Sequence, residues 1–114
     1  MKLYGLKNCD TSKKAFKALT ANGRQVTFVD VRADGIDYKK LTKFYTLFQD
    51  ALVNMRSTTW RGLSLEERKR TPLELLVENP TLMKRPVIEC DALCTLGWSK
   101  DIEKKIYRNY FRVI

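Results

Sequence analysis

The sequence predicts an α/β domain with a mixed four-stranded sheet flanked by helices and a helical insertion in mid-chain. Short β-type runs alternate with amphipathic runs in the order β-α-β-α, insertion, β-β-α. A helix between the first two strands makes them parallel, and a tight connection between the last two makes them antiparallel. With 114 residues, the chain is expected to form one domain over residues 1–114.

The first half of the chain supplies two strands and two helices. Residues 2–5 alternate as a strand, and Asp10 or Thr11 caps the helix that follows and ends at Asn22-Gly23. A second strand is predicted over residues 25–31. Asp37 then caps a second helix. The apolar positions of the two helices are Ala15, Phe16, Ala18, Leu19, Leu41, Phe44, Tyr45 and Phe48.

The middle of the chain is more polar. Residues 54–62 lack a clean period and are predicted to form a loop. Ser64 and Glu67 fit a capping box, and Pro72 suits the first turn of a further helix that stops at Pro80. The apolar positions of that helix are Leu73, Leu75, Leu76 and Val77.

The last part of the chain predicts two strands and a helix. Residues 87–89 are β-type, and residues 90–96 return as the partner strand after a turn at Asp91-Ala92. Ser99 caps the last helix. Its inward positions are Ile102, Ile106 and Tyr110.

Composition narrows the class of protein. Hydrophobic residues are 44% and charged residues 31%, as in a folded globular protein. No long apolar run or secretory signal is present, so we expect no membrane span. The three cysteines are an odd set without a signal, which favours a reducing cytoplasm over a disulfide framework.

The chain has no histidine, which excludes Ser-His-Asp and Cys-His catalysis and removes the commonest metal ligand. We therefore expect no metal site. The net charge of +9 favours anionic partners: nucleic acid, a small oxyanion or an acidic protein. The basic residues are spread along the chain and form no helix-turn-helix pattern, so direct DNA binding is disfavoured.

Cys9 is the sharpest candidate for chemistry. It lies between a strand end and a helix start, where backbone N–H groups and the helix dipole lower the pKa of a thiol. Lys7, Lys13 and Lys14 add positive charge nearby. Ser12 stands where a dithiol motif would carry its second cysteine, so Cys9 acts as a single thiol or with a distant partner. The alternative is a small cysteine that only packs.

Three arginines could bind an anion. Arg56 and Arg61 lie among hydroxyl side chains and offer many donors to an oxyanion, unless this is simply an exposed polar loop. Arg85 precedes Pro86, whose peptide bond is either cis at a deliberate turn or an ordinary strand entry. Trp60, within the same polar loop, could stack on a ligand.

Cys90 and Cys94 are interpreted as structural thiols rather than as resolving partners for Cys9. They lie four residues apart across a predicted turn, and strand alternation puts such positions on one face only in a continuous strand. Trp98 is expected in the core.

Three segments resemble, in order, the arsenate-reductase-like (ArsC/Spx) family, and most of all its YffB-type branch. They are residues 4–15 (YGLKNCDTSKKA), 54–61 (NMRSTTWR) and 84–89 (KRPVIE). The resemblance implies a thioredoxin-like fold with a helical insertion. It implies that Cys9 is the catalytic cysteine, that Arg56 and Arg85 hold the oxyanion, and that Pro86 is a cis-proline facing the site. We add Arg61 and Ser12 as candidate substrate-binding residues.

Two departures from the family pattern refine the function. Residues 93–98 lack the third arginine of true arsenate reductases, and Ser12 removes the dithiol of the Spx regulators. What remains resembles a glutathione-dependent thiol reductase that binds no cofactor and uses glutathione as co-substrate. Its expected partners are glutathione or a small oxyanion, with glutaredoxin a further candidate. The alternative is an Spx-like transcriptional regulator that binds RNA polymerase.

Overall fold

The computed structural model describes the backbone of residues 1–113 and the side chains of residues 1–109. In chain order, the elements are β1 (Lys2–Gly5), α1 (Asp10–Ala21), β2 (Thr27–Asp30), α2 (Tyr38–Phe48), α3 (Thr58–Arg61), α4 (Leu65–Arg68), α5 (Pro72–Glu78), β3 (Val87–Cys90), β4 (Leu93–Leu96) and α6 (Lys100–Val113). Two 3₁₀ turns, which the sequence did not predict, follow α2 and α5 at Gln49–Leu52 and Pro80–Leu82.

The chain divides into two compact units. The first, here called the sheet unit, is Met1–Asp30 together with the chain from Arg85 onward, and the second, the insertion unit, is Val31–Lys84. The insertion unit contains the predicted helical insertion together with α2, and its described regular elements are helices and 3₁₀ turns. The expectation that residues 1–114 form one domain stays a prediction.

The sheet unit is built on four strands in the order β2-β1-β3-β4. Strand β1 is parallel to β2 and antiparallel to β3, and β3 is antiparallel to β4. The mixed sheet is therefore confirmed, for the reason given by the connections: α1 joins the parallel pair, and a two-residue turn joins β3 to β4. Strand β2 is shorter than the predicted 25–31.

Helices α1 and α6 pack on one face of this sheet. Alternation along β1 and β3 places Leu3, Ile88 and Cys90 on that face. Burial of each aliphatic side chain there stabilises the unit by about 1.5–3 kcal/mol. The buried cluster is Leu3, Ala15, Leu19, Ile88, Cys90 and Ile106. The side chain of Tyr110, which was expected to point inward, lies outside the described residues.

The helix starts correct one prediction and confirm another. Cys9, not Asp10 or Thr11, is the N-cap of α1, because its carbonyl accepts the Lys13 N–H at 3.0 Å. Ser99 caps α6 as predicted, and its Oγ accepts the Ile102 N–H at 3.2 Å.

The insertion unit is also organised by its caps. Asp37 caps α2 through the Lys39 N–H, and α4 begins with the predicted capping box. Thr71 accepts the Glu74 N–H at the start of α5, which contacts α2. The loop prediction for residues 54–62 was wrong over α3, since the Ser57 hydroxyl accepts the Trp60 N–H at 3.1 Å and starts a helical turn.

Val77 in α5 was predicted to face inward but is 46% exposed, whereas its neighbour Leu76 is fully buried. The short α5 buries only one narrow stripe. Within the described residues, no helix is both long and apolar enough to cross a membrane.

Candidate active site around Cys9

Hydrogen bonds donated by its backbone N–H groups hold the loop between β1 and α1 in place. The Cys9 N–H donates to the Leu6 carbonyl at 3.1 Å, and the Lys7 N–H donates to Asp30 Oδ2 at 3.0 Å. The Leu6 N–H donates to Ser12 Oγ at 3.3 Å. Because these donors are satisfied within the sheet unit, the loop holds the Cys9 backbone in one position at the N-terminus of α1.

The Cys9 thiol is partly exposed and its pKa is lowered from the ordinary value for cysteine. Burial alone would raise this pKa, but hydrogen bonding from the Ser12 hydroxyl and N–H and from the Arg85 guanidinium outweighs it. A lowered pKa gives more thiolate, the nucleophilic form, at neutral pH.

Arg85 reaches Cys9 because of the sheet register. Strands β1 and β3 are antiparallel with Tyr4 opposite Val87, so the end of β1 meets the start of β3. The Arg85–Pro86 peptide bond is cis, as the resemblance implied. The Pro86 carbonyl accepts the Gly97 N–H at 2.8 Å, which joins this corner to the end of β4. Residues 76 positions apart in the sequence are thereby brought together.

Ser12 was proposed to bind substrate, and the structure shows what its hydroxyl contacts. The residue is fully buried, and its hydroxyl is directed to the Leu6 N–H and the Cys9 sulfur. Any effect of Ser12 on a substrate therefore passes through the thiol.

Two residues of this site were missed by the sequence analysis. Gly5 carries no Cβ, and an added one would lie 2.4 Å from Ser12 Oγ. Asp30 is buried at 6% exposure and holds the Lys7 N–H. Both residues are unusual at their positions, since Gly5 is a glycine at the end of a strand and Asp30 is an acidic residue in an apolar strand. These two features could have indicated their roles from the sequence.

Arg56 and Arg61 belong to the insertion unit. Arg56 is exposed, and its N–H donates to Asn54 Oδ1 at 3.0 Å. Arg61 ends α3, and its carbonyl accepts from Arg68 Nη2 at 3.3 Å. Of the predicted site residues, the contacts of the sheet unit bring together Cys9, Ser12, Arg85 and Pro86. The role of Arg56 and Arg61 in an anion pocket stays a prediction.

Trp60 lines a cavity of about 220 Å³ within the insertion unit. The Arg68 guanidinium lies 5.4 Å from the Trp60 ring centre and donates to the Trp60 carbonyl at 3.2 Å. One face of the ring is thus already covered by a cation, which leaves less surface for stacking on a ligand. The other lining residues are Asp50, Val53, Met55, Arg68, Arg70, Pro72 and Leu75.

The other two cysteines are separate from the Cys9 loop. Cys90 is buried in the core, whereas Cys94 is partly exposed and lies opposite Glu89. Because residues alternate along β3, Cys90 and Cys94 face opposite sides of the sheet. Cys94 also adjoins Tyr4, whose pKa is raised by burial and by its hydrogen bond to Glu89. All three cysteines are free thiols.

No group of three or more Cys, Asp or Glu side chains among residues 1–109 is arranged to hold a metal ion. The chemistry assembled around Cys9 is that of one activated thiol beside a guanidinium.

Sequence comparisons match nearly the whole chain. The model of the family described as the ArsC family matches residues 4–106. An uncharacterised protein of Haemophilus influenzae is 46% identical over 103 residues, which cover 86% of this chain and 90% of the relative.

Solved structures share the fold. The YFFB protein is 31% identical and superposes with a TM-score of 0.83, covering 92% of this chain and 96% of the other. An arsenate reductase (ArsC) related protein from Brucella melitensis is also 31% identical, with a TM-score of 0.70 over 94% and 93% of the two chains. An arsenate reductase from Vibrio cholerae, at 14% identity and a TM-score of 0.71 over 95% and 97%, shows likeness of fold alone. The predicted fold class is confirmed.

Proposed function

This chain belongs to the ArsC family, and on that basis we propose that it is a glutathione-dependent thiol reductase with Cys9 as its nucleophile. The main observation in support is that Ser12 and Arg85 lie at the partly exposed Cys9 sulfur and lower its pKa. A thiol poised in this way attacks sulfur or another electrophilic centre. Glutathione is abundant in a reducing cytoplasm, where we place the activity.

In the first step, the Cys9 thiolate attacks the glutathione sulfur of a mixed disulfide. The bond between that sulfur and the target sulfur breaks, and a Cys9–glutathione disulfide forms. The target leaves as a thiolate and takes a proton from water. The Arg85 guanidinium supports this step because it favours the charged form of Cys9.

In the second step, the thiolate of free glutathione attacks the glutathione sulfur of the adduct. Oxidised glutathione leaves, and the Cys9 thiolate is regenerated. The target sulfur keeps the electron pair of the broken bond and ends as a thiol, while the glutathionyl group of the mixed disulfide and one free glutathione thiol end as oxidised glutathione. An external thiol is required because Ser12, the residue beside Cys9, cannot form a disulfide, while Cys90 is buried. A glutaredoxin is the alternative source of that thiol.

Arg56 and Arg61 are the proposed partners for the carboxylates of glutathione. Both side chains are exposed, and guanidinium groups bind carboxylates through paired hydrogen bonds. With Arg85 they would form the arginine-lined anion pocket that the family resemblance implies.

Arsenate is the competing substrate, and the segment 93–98 argues against it because it contains no arginine. No comparable observation supports the regulator alternative. The second cysteine of the Spx redox motif is replaced here by Ser12, which is fully buried. Retention of RNA polymerase subunits by the purified protein, with no turnover of either substrate, would favour the regulator.

The test is turnover of a glutathionylated peptide, and separately of arsenate, with excess glutathione and a coupled assay for oxidised glutathione. The wild type is expected to reduce the peptide, and the Cys9→Ser variant is expected to lose at least about 100-fold in rate, since no other described thiol shares its activating contacts. Cys94→Ser is the matched control, because Cys94 is also partly exposed but lies away from the Cys9 loop.

Trapping completes the test. Mass spectrometry of the quenched reaction is expected to show glutathione on Cys9 and not on Cys94. Full activity in Cys9→Ser would end the proposal.

A further inference from the structure

A row of basic side chains follows the reactive thiol along α1. Lys13 donates its N–H to the Cys9 carbonyl and so lies one turn beyond it, and Lys17 lies one turn further. Lys14 lies beside them, and Lys7 precedes Cys9 in the loop. All four lysines are exposed. We call Lys7, Lys13, Lys14 and Lys17 the lysine row.

Within residues 1–109, these ammonium groups have no hydrogen-bond or ion-pair partner closer than 4.0 Å. Other surface lysines behave differently: Lys69 pairs with Glu66 at 3.2 Å, and Lys100 pairs with Glu103 at 3.8 Å. The one acidic residue in the first turn of α1, Asp10, forms no such pair. The four ammonium groups are therefore not engaged in ion pairs within the described residues.

Two lysines of the row act against the helix that carries them. Lys13 and Lys14 lie near the N-terminus of α1, where positive charge opposes the helix macrodipole. Lys13 and Lys17, four residues apart, also repel each other as like charges. The row does not act on the thiol either, since the groups that lower the pKa of Cys9 are those of Ser12 and Arg85. A charge arrangement that serves neither helix nor thiol is suited to a partner.

The length of the row indicates how large that partner is. Lys17 lies eight positions beyond Cys9, a rise of about 12 Å along an α-helix. Glutathione carries two carboxylates, one at each end of the tripeptide, and so offers two anionic groups to four ammonium groups. An acidic polypeptide running beside α1 can offer carboxylates to every lysine of the row.

We propose that the lysine row is a docking surface for an acidic polypeptide that carries a glutathione mixed disulfide. The inference rests on the proposed function and names the substrate class: a glutathionylated protein whose modified cysteine is flanked by Asp and Glu side chains. The lysine row attracts those carboxylates and brings the mixed disulfide to Cys9. The chemical step is unchanged, with glutathione passing from the target sulfur to Cys9 and the target thiolate taking a proton from water.

The test compares two glutathionylated peptides of equal length, one with Asp and Glu around the modified cysteine and one with Asn and Gln. At low salt, kcat/KM is expected to favour the acidic peptide by about 10-fold or more, because steering by charge raises association rates by roughly 10-fold to 1000-fold. The preference is expected to shrink as salt rises, since exposed charges are screened.

Charge reversal assigns the preference to the lysine row. The double variant Lys13→Glu with Lys17→Glu is expected to lose the preference for the acidic peptide while keeping turnover of the neutral one. The matched control is Lys104→Glu with Lys105→Glu, which places the same charge change on exposed positions of α6. The control is expected to keep most of the preference, and the rate with the neutral peptide, measured for both variants, corrects for any change in the reactivity of Cys9.

Equal kcat/KM for the two peptides at low salt, or an equal loss of preference in the control, would overturn the docking surface. The proposed function would still stand in either case, provided that Cys9→Ser is inactive. If neither peptide is reduced by the wild type, the proposed function itself fails, and the two failures are therefore distinguishable.

Discussion

Gly5 and Ser12 lie so close together that a Cβ on Gly5 would be 2.4 Å from Ser12 Oγ and 2.8 Å from Ser12 Cβ. Ser12 is fully buried and its hydroxyl also accepts the Leu6 N–H, so it has little room to withdraw. The absence of a side chain at Gly5 is therefore what allows the Ser12 hydroxyl to lie beside the Cys9 sulfur.

Gly5→Ala is expected to push Ser12 away from Cys9. The overpacking should destabilise the protein by about 1–3 kcal/mol, and the pKa of Cys9 should rise because the Ser12 donors are lost. Urea unfolding and the pH midpoint of Cys9 alkylation measure the two effects. The control is Gly62→Ala, where the nearest atom to an added Cβ is the Thr58 carbonyl at an ordinary 3.5 Å. An unchanged alkylation midpoint in Gly5→Ala would contradict the role of Gly5 in placing Ser12 beside Cys9.

Ser12→Ala separates the hydroxyl from the packing. We expect a higher pKa for Cys9, slower alkylation at neutral pH and a loss of about 1–3 kcal/mol in stability, since the Leu6 N–H is left without its acceptor. Thr11→Ala, at the exposed neighbouring position, is expected to change the free energy of unfolding by less than about 0.5 kcal/mol. A wild-type alkylation profile in Ser12→Ala would show that the N–H groups and Arg85 suffice.

The lowered pKa of Cys9 makes stability depend on pH. A thiol whose folded pKa lies below its unfolded value of about 8.5 stabilises the fold most above that value, and the contribution disappears as pH falls through the folded pKa. Wild type minus Cys9→Ser should therefore show a stability difference that grows as pH rises from the folded pKa towards the unfolded value of about 8.5 and levels off above it. Tyr4 does not interfere, because its raised pKa puts its titration at higher pH. A flat difference would contradict the pKa shift.

Arg85→Gln is expected to raise the pKa of Cys9 and to slow reduction of a glutathionylated peptide at neutral pH by roughly 10-fold to 100-fold, since a donor aimed at the reacting charge is removed. Arg85→Lys keeps the charge without the planar fork and should recover part of the loss. Activity of Arg85→Gln measured above the shifted midpoint is expected to approach that of the wild type. Persistent loss at high pH would assign Arg85 a direct role on the substrate.

Arg56→Gln tests the proposed anion pocket. Since Arg56 is not among the groups that lower the pKa of Cys9, we expect an unchanged alkylation midpoint together with a KM for glutathione raised about 10-fold, the size of one lost charged contact. Lys43→Gln, another exposed cation of the insertion unit, serves as the control. Equal KM values for wild type and Arg56→Gln would remove Arg56 from the pocket.

The sequence predicted the sheet well because its connections leave few choices. The helix α1 between β1 and β2 enforces a parallel pair, and the short turn at Asp91-Ala92 enforces an antiparallel one. The failures are local. Residues 58–61 form a helix because one hydroxyl, that of Ser57, caps a single turn, and a periodicity analysis cannot detect so short an element.

The site was predictable only in part. Cys9 and Arg85 are recognisable because thiols at helix starts and arginines before a strand-entry proline are chemically distinctive. Gly5 and Asp30 were missed because their contributions are contacts at long range: a missing Cβ against Ser12, and a carboxylate that reaches Lys7 across 23 residues. Neither contact can be detected from the hydrophobic periodicity of the sequence.

The insertion unit leaves the sheet unit after Asp30 and returns at Arg85. These two residues also hold the thiol loop, one through the Lys7 N–H and the other at the Cys9 sulfur. The two residues at which the insertion unit joins the sheet unit therefore both contact the loop that carries Cys9. We therefore expect a different segment grafted between Asp30 and Arg85 to leave the lowered pKa of Cys9 in place, because Ser12 and Arg85, which lower it, belong to the sheet unit.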